Sequence, residues 1–428
     1  MKKILLALTI AMVLGVSCKS NYFDQEEYEE YVHLGFPVDS IDPAQDWTTV
    51  ETAAATVSVS LGTGGSYTAE VYGDNPTTAT AATLYGSEQV SDGASVTLNI
   101  PHPTSIGQFF VALKGSDGQI LVKQATLSDD ALTASFTSAD SDWASQTATA
   151  SRFTWRCCFE DAFPDAGDYD FNDLVLTLSC YRESEKCVCL TVSLDAIGSI
   201  STISAAARLV GIDATDVDSV TATSLFLQYP YSYMPISTSD ATNGFQKSKS
   251  DEVVIPFFDD AHYAMSEGAT ASDGSIARGY VNTVGTTSDS KYSAYAVEAA
   301  PVAKTYRIWC KTAATAKSIG HATIDVFTIT QYNGSYFETH CFPYKREETL
   351  CTWHDDSSSE VYADNYPWAL NLPGYFKYPC EGIRISYYYN NVITGAYPVA
   401  FHSFGEWAED HTKATDWYDH PSSNYVYQ

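Results

Sequence analysis

Short runs of alternating apolar and polar residues dominate the chain beyond its first fifty positions. In Thr56-Val57-Ser58-Val59-Ser60-Leu61, Val57, Val59 and Leu61 fall on one side of an extended segment and hydroxyls on the other, the period of two that marks a half-buried strand. Similar runs follow at residues 67–76, 95–101, 108–115 and 119–128, punctuated by Gly64-Gly65, Gly73-Asp74-Asn75-Pro76 and Asp117-Gly118. Strands at this spacing predict a small β-sandwich over 46–140. Residues 129–150, rich in Ser, Thr, Ala and Asp, read as a connector, which puts a boundary near residue 140.

Beyond it, strands are predicted at 153–161, 174–181, 188–196, 224–229, 253–259, 305–311, 322–332 and 383–389. The only candidate helices are 199–211, which reads equally as a loop and strand, and 403–410. No fixed repeat is visible, which argues against solenoids and propellers. The expected fold class is all-β or β-dominated: a small N-terminal sandwich, then a larger β-sandwich or jelly-roll-like domain over 141–428.

Composition agrees. Of 428 residues, 45% are hydrophobic, 18% charged and 13% aromatic, which excludes a disordered chain or a coiled coil. Thirty Tyr and only 4 Met favour pleated strands. With 23 Lys and Arg against 53 Asp and Glu the formal charge is −30, which repels a phosphate backbone, so nucleic acid is not an expected partner.

The first 18 residues form a separate unit. Two lysines, an apolar or small run from Ile4 to Val16 and small residues ending at Cys18 make a signal peptide. The run is shorter than the ~20 residues a spanning helix needs. Cys18 after Gly15-Val16-Ser17 resembles a bacterial lipobox, although Leu14 stands one place further from the Cys than that pattern puts its leucine. Acylation of Cys18 would hold the mature protein on a membrane without spanning it. Residues 19–45, with Asp24, Glu26, Glu27, Glu29 and Glu30, read as an acidic tether, or as an export signal to the outer face of the outer membrane. The expected location is therefore an outer membrane lipoprotein, exposed at the cell surface.

Chemistry concentrates in FEDAFPDAGDYDFNDLVLTLS, 159–179. Asp168, Asp170 and Asn172 alternate, Asp173 is adjacent, and Glu160 and Asp161 lie just upstream. Crowded hard oxygen donors suit Ca²⁺ better than Mg²⁺, because Ca²⁺ takes six to eight oxygens in tolerant geometry. The start echoes an EF-hand loop, but Asp173 stands where Gly is required and Ser179 where Glu is required. Leu174, Leu176 and Leu178 share one face, so the loop is expected to hang on a strand. Phe171 is expected to turn into the core, and Gly167 to let the chain bend. The alternative reading is an acidic turn whose side chains cap their own backbone amides.

The same residues carry a resemblance. FEDAFPDAGDYDFNDLVL resembles the signature of LruC-type domains, borne by bacterial surface lipoproteins of largely undefined role. Residues 257–262, 279–283, 365–389 and 396–421 resemble that family's later blocks in the same order, and 36–47 the opening of the N-terminal β-domain in gut-anaerobe members. The resemblance implies a β-rich extracellular domain in which Asp168, Asp170, Asn172 and Asp173 bind calcium. It implies no reaction.

Other candidates are weaker. Asp259 and Asp260, with His262, are second-rank metal ligands or an acid–base pair; the competing reading is the end of an apolar strand. His354, Asp355 and Asp356 read as a solvated turn. Cys157-Cys158 and Cys187-Val188-Cys189 lack zinc-site spacing and read as buried thiols or one or two bridges. Tyr387 to Tyr389, Trp368, Trp407 and Trp417 are either a sugar-stacking platform or core packing. No G-x-S-x-G, H-E-x-x-H, P-loop or dinucleotide fingerprint occurs. The expected function is binding or adhesion to a glycan or protein by a calcium-stabilised surface domain, without catalysis. The competing functions are a structural subunit of a fimbria-like assembly and a surface hydrolase using scattered carboxylates.

Overall fold

The computed structural model describes residues 38, 40–163, 167–238, 241–332, 334–341, 349–351, 367–389, 392–393 and 398–428. Cys18, most of the expected tether and the His354 turn lie outside the described residues.

Nine strands build the first sandwich: β1 (Val50–Ser60), β2 (Ser66–Tyr72), β3 (Ala81–Ser91), β4 (Ser95–Pro103), β5 (Gln108–Lys114), β6 (Gln119–Thr126), β7 (Ala131–Thr137), β8 (Ala144–Ser145) and β9 (Thr149–Arg152). One sheet runs β4-β1-β7 and the other β8-β6-β5-β2-β3-β9. The alternation read in β1 holds: Val57 and Val59 are buried and Leu61 packs against the same core. The expected connector differs. Leu132, Ala134 and Phe136 alternate inward along β7, and β9 lies parallel to β3, so the chain leaves these sheets at Arg152 rather than near residue 140. Short apolar side chains spaced by Ser and Thr satisfy strand alternation as well as Val does when a sheet face is waiting.

The second sandwich comprises β10 (Trp155–Phe159), β11 (Leu174–Ser184), β12 (Cys187–Ala196), β13 (Ser204–Asp213), β14 (Val217–Ala222), β15 (Gln246–Lys247), β16 (Glu252–Phe258), β17 (Tyr280–Val281), β18 (Ala296–Val297), β19 (Val302–Cys310), β20 (Ile324–Tyr332), β21 (Ser335–His340) and β22 (Ala369–Pro373). A six-stranded sheet, β14-β19-β12-β11-β10-β22, faces a five-stranded one, β15-β16-β13-β20-β21. Leu174, Leu176 and Leu178 enter the core between them. The opposite face of β11, through Val175, is covered by the C-terminal segment, which is why that strand opens on the unbroken apolar run Leu174-Val175-Leu176 before it alternates.

That cover is aromatic. Helix α4 (Phe404–Glu409, numbered after α1 Ala261–Met265, α2 Ser290–Ser293 and α3 Ala313–Ser318) brings Phe404 and Trp407 against Trp417, at ring-centroid distances of 5.1 and 5.5 Å. Trp368, Trp407 and Trp417 are all buried, so they are core packing, not a sugar platform. The tail of the expected tether is also built in: Asp42 N donates to Ala408 O at 2.9 Å, Gln45 Nε2 to Trp407 O at 2.8 Å, and Trp47 meets Trp407 edge-on. Of the two readings of 199–211, loop and strand holds: residues 204–213 are strand because β16 and β20 flank them and complete the ladder. One further reading is corrected. Residues 224–229 form no strand, and Leu225 and Leu227 are exposed. At 383–389 only Tyr388 and Tyr389 are paired, with Ile393 and Val392.

Candidate metal centre

The acidic segment leaves β10 at Phe159 and rejoins the sheet at β11, whose first residue pairs with Phe159. The intervening loop is thereby pinned at both ends of one antiparallel pair. Inside it, Glu160 faces back across the loop: its carboxylate accepts from Phe171 N at 2.6 Å and Tyr169 N at 3.3 Å. Tyr169 and Phe171 both have positive φ, 55° and 51°, a conformation that is strained for aromatic residues and needs support from its surroundings. Burial supplies the support, because both rings are fully enclosed in the C-terminal core. Phe171 therefore clamps the loop as expected. Gly167 serves differently: a β-carbon there would meet Glu160 Oε2 at 2.2 Å, so what is required is room for a carboxylate, not a bend.

The geometry brings Glu160, Asp168 and Asp170 together, each offering an oxygen within 4.8 Å of the others. Asp170 Oδ2 accepts from Gly382 N at 2.8 Å. Asp173 Oδ2 accepts from Asp161 N at 2.8 Å, and Asp161 accepts from the Ser199 hydroxyl. Asn172 Nδ2 donates to Pro379 O at 3.1 Å, while its Oδ1 is buried without a hydrogen-bond partner. That oxygen lies 1.8 Å, and Glu381 Oε2 2.8 Å, from where a β-carbon on Gly198 would be. Glu381, which also accepts from Thr283 Oγ1 at 3.0 Å, is a member of the cluster not singled out in the sequence. Its one signal is its place in the C-E-G of the block at 365–389.

Such crowding raises the proton affinity of the acids. Burial first, then the charge of Asp168, lifts Glu160 and Asp170 well above the ordinary carboxyl range, and Asp161 and Glu381 respectively add to it. Asp173 is raised by burial and then by Asp161 and Glu160. Asp168 is raised mainly by burial, opposed by its own backbone amide and by Arg384 and Lys291. Glu381 reaches about 8 through burial and Asp168. Buried carboxylates sharing one site cannot all ionise unless a cation joins them. The donor set, all oxygen and including an unsatisfied amide carbonyl, fits a hard dication: Glu160, Asp168, Asp170 and Asn172 would hold it, with Asp173 and Glu381 beside them.

Asp259 and Asp260 do not join this cluster. Asp259 accepts from Tyr229 N at 2.9 Å; Asp260 caps α1 through Tyr263 N and pairs with Arg278 at 2.6 Å. The charge of Asp260 is already matched by a helix end and a guanidinium. His262 Nε2 donates to Gly279 O at 3.0 Å in the same knot. Cys187 and Cys189 approach Glu183, but that carboxylate is forked by Arg307 at 2.9 and 3.0 Å.

Residues 186–418 match the family described as a domain of unknown function, DUF4842. The chain belongs to that family. The region shared with DUF4842 contains Glu381, Gly382 and Thr283, whereas Glu160 to Asp173 precede it. Among solved structures the chain is similar to a candidate lipoprotein from Bacteroides ovatus, at 14% identity and a TM-score of 0.49 over 84% of this chain and 98% of that one. It is also similar to the full-length major pilin SpaD from Corynebacterium diphtheriae, at 10% identity and a TM-score of 0.15 over 68% and 64%. No curated protein matches. Among the described residues no helix is long and apolar enough to cross a membrane.

Proposed function

We propose that this DUF4842 member is an LruC-type surface lipoprotein, anchored through acylated Cys18, whose second sandwich is ordered by a structural Ca²⁺ and whose work is to bind a glycan or protein rather than to catalyse. The observation that carries the metal is the convergence of Glu160, Asp168 and Asp170 oxygens within 4.8 Å; the orphaned Asn172 Oδ1, which lies with Glu381 against Gly198, adds to it. Calcium there ties the loop between β10 and β11 to the 379–382 segment, through Asp170 and Gly382, and so fixes the C-terminal cover against the sheet. Raised carboxyl groups also occur in hydrolases. Here Glu160 and Asp170 are almost wholly buried, and none of these acids lines the 440 Å³ cleft elsewhere on the surface, which favours a structural ion.

Calorimetric titration of the soluble chain with Ca²⁺ tests the site: a saturable heat is expected in the wild type and none in Asp170→Asn, and equal heats in both would refute the assignment. A glycan and protein array run with calcium and with EGTA tests the binding role, calcium-sensitive capture being the expected result. Anchoring has its own check. Cys18→Ala should move the protein from the detergent phase to the aqueous phase, since covalent acyl chains supply the membrane affinity; unchanged partition would remove the lipid from the reading.

A further inference from the structure

A cleft of about 440 Å³ opens where the two sandwiches meet, within the ~300–1,000 Å³ of small-ligand sites. One wall is β3 and β4, with Ser87, Thr97 and Asn99; the other is Tyr181 and Arg182 on β11 together with α3 and the turn after it, with Lys317, Ser318 and Thr323. Arg152, the last residue of β9, stands at the junction.

The charge of this cleft is opposite to that of the chain. Arg182 forms an ion pair with Glu88 across it, so those two cancel and fix the spacing of the walls. Arg152 and Lys317 remain, and among the described residues neither has an ion-pair partner. The Arg152 guanidinium lies 3.8 Å over the Tyr181 ring. Stacking of this kind holds the plane of the group by its face while leaving its N–H edges free, the arrangement that grips a carboxylate by two parallel bonds. Two uncompensated cations in one concavity of a protein with formal charge −30 form a local minimum for anions, because a low-dielectric cleft focuses its own field. The remaining lining is mixed: hydroxyl and amide side chains stand beside apolar ones such as Leu98, Pro101, Phe153 and Ile319, a combination that offers a sugar ring partners for its hydroxyls and for its C–H face.

We propose that this cleft binds a carboxylate-bearing saccharide, of the uronic-acid class, with Arg152 forking the carboxylate, Lys317 adding charge from the opposite wall, and Ser87, Thr97 and Asn99 meeting ring hydroxyls. The inference rests on the binding role above and names its ligand class.

The test is calorimetric titration of the calcium-saturated protein with a uronic-acid disaccharide, the neutral disaccharide of the same linkage, and an oligoglutamate peptide. The acidic sugar is expected to bind saturably and the other two not, with affinity falling tenfold or more in Arg152→Gln and in higher salt. Arg152 is exposed and Lys317 sits on the outer side of α3, so Arg152→Gln and Lys317→Gln should melt with the wild type; Lys317→Gln should also weaken binding, which keeps the test intact if one variant misfolds. No binding of the acidic sugar, equal binding of the neutral sugar or the peptide, or unchanged affinity in both variants would overturn the assignment. If the acidic sugar fails while an array reveals a calcium-sensitive neutral glycan or protein ligand, this inference falls and the binding role stands; if nothing is captured at all, both fall.

Discussion

Removing calcium with EGTA is expected to lower the melting temperature by several degrees at pH 8.5 and by much less at pH 5. In the metal-free protein Glu160, Asp168, Asp170, Asp173 and Glu381 all have raised proton affinity. A carboxyl whose folded pKa lies above its unfolded value contributes stability that is fully present below the unfolded pKa and is lost as pH rises through the folded one. For Glu381 that window runs from 4.5 to about 8. Metal-free stability should therefore fall across this range as the fold is forced to confine like charges. Calcium at the proposed site would reverse the slope, since it would bind the deprotonated set and compete with protons below it. At a hundredfold excess over its dissociation constant the ion adds about 2.7 kcal/mol. Asp170→Asn keeps an oxygen for Gly382 N but removes one charge. Its metal-free form should melt above metal-free wild type at pH 8.5, and its calcium response should be gone. Scanning calorimetry at the two pH values, with EGTA and with millimolar calcium, reads all of this. A metal-free protein that gains stability between pH 5 and 8.5 would contradict it.

The core strands were legible because their chemistry is local. Val57 and Val59 alternate, and so do Leu174, Leu176 and Leu178, and those faces are buried as expected. β7 and β9 were hidden in a stretch of Ser, Thr and Ala, where strand formation depends on the pairing partners β1 and β3 rather than on side-chain preference. The reverse failure, at 224–229, has the same cause: SLFLQY has β propensity but no ladder to join, so Leu225 and Leu227 face solvent. The candidate site divides similarly. Glu160 and Asp168 to Asp173 lie within fourteen residues, and their spacing shows oxygen donors converging. Glu381 is more than two hundred residues away, brought in by the pairing of β22 with β10 that precedes it, and no local pattern reports that. Asp259 and Asp260 looked like ligands because composition shows charge but hides the partner: Arg278, eighteen positions on from Asp260, neutralises it.

Asp325→Ala is expected to cost about 3–5 kcal/mol, the range for breaking a buried ion pair by removing one member. Asp325 is fully buried on β20, where its Oδ2 forms an ion pair with Arg208 Nε of β13 at 3.2 Å and accepts from His340 Nδ1 of β21 at 2.8 Å. His340 Nε2 reaches Glu338 Oε2 at 3.4 Å, and Glu338 in turn accepts the amides of Thr349, Leu350 and Cys351 at 2.6, 2.6 and 2.9 Å. One charge network thus ties three neighbouring strands and the chain beyond them. Burial alone would drive His340 toward neutrality, but the charge of Asp325 and the hydrogen bonds to Asp325 and Glu338 outweigh it and raise the imidazole to about 9. Glu338, despite burial, is lowered by His340 and those amides. The signs follow: the contribution of His340 is complete below 6.5 and lost as pH rises through about 9, while that of Glu338 is present above 4.5 and lost as pH falls below it. Removing Asp325 takes the shared partner from two buried cations and leaves Arg208 with Glu252 at 3.6 Å and His340 with Glu338, so His340→Ala added to Asp325→Ala should cost less than the sum of the single changes. Urea titration of the two single variants and the double variant at pH 7 measures that coupling, and strict additivity would mean the pair does not act as a unit. Repeated at pH 9.5, above the His340 value of about 9, the penalty for Asp325→Ala should shrink, because the removed carboxylate then deprives one cation of its nearest counter-charge instead of two.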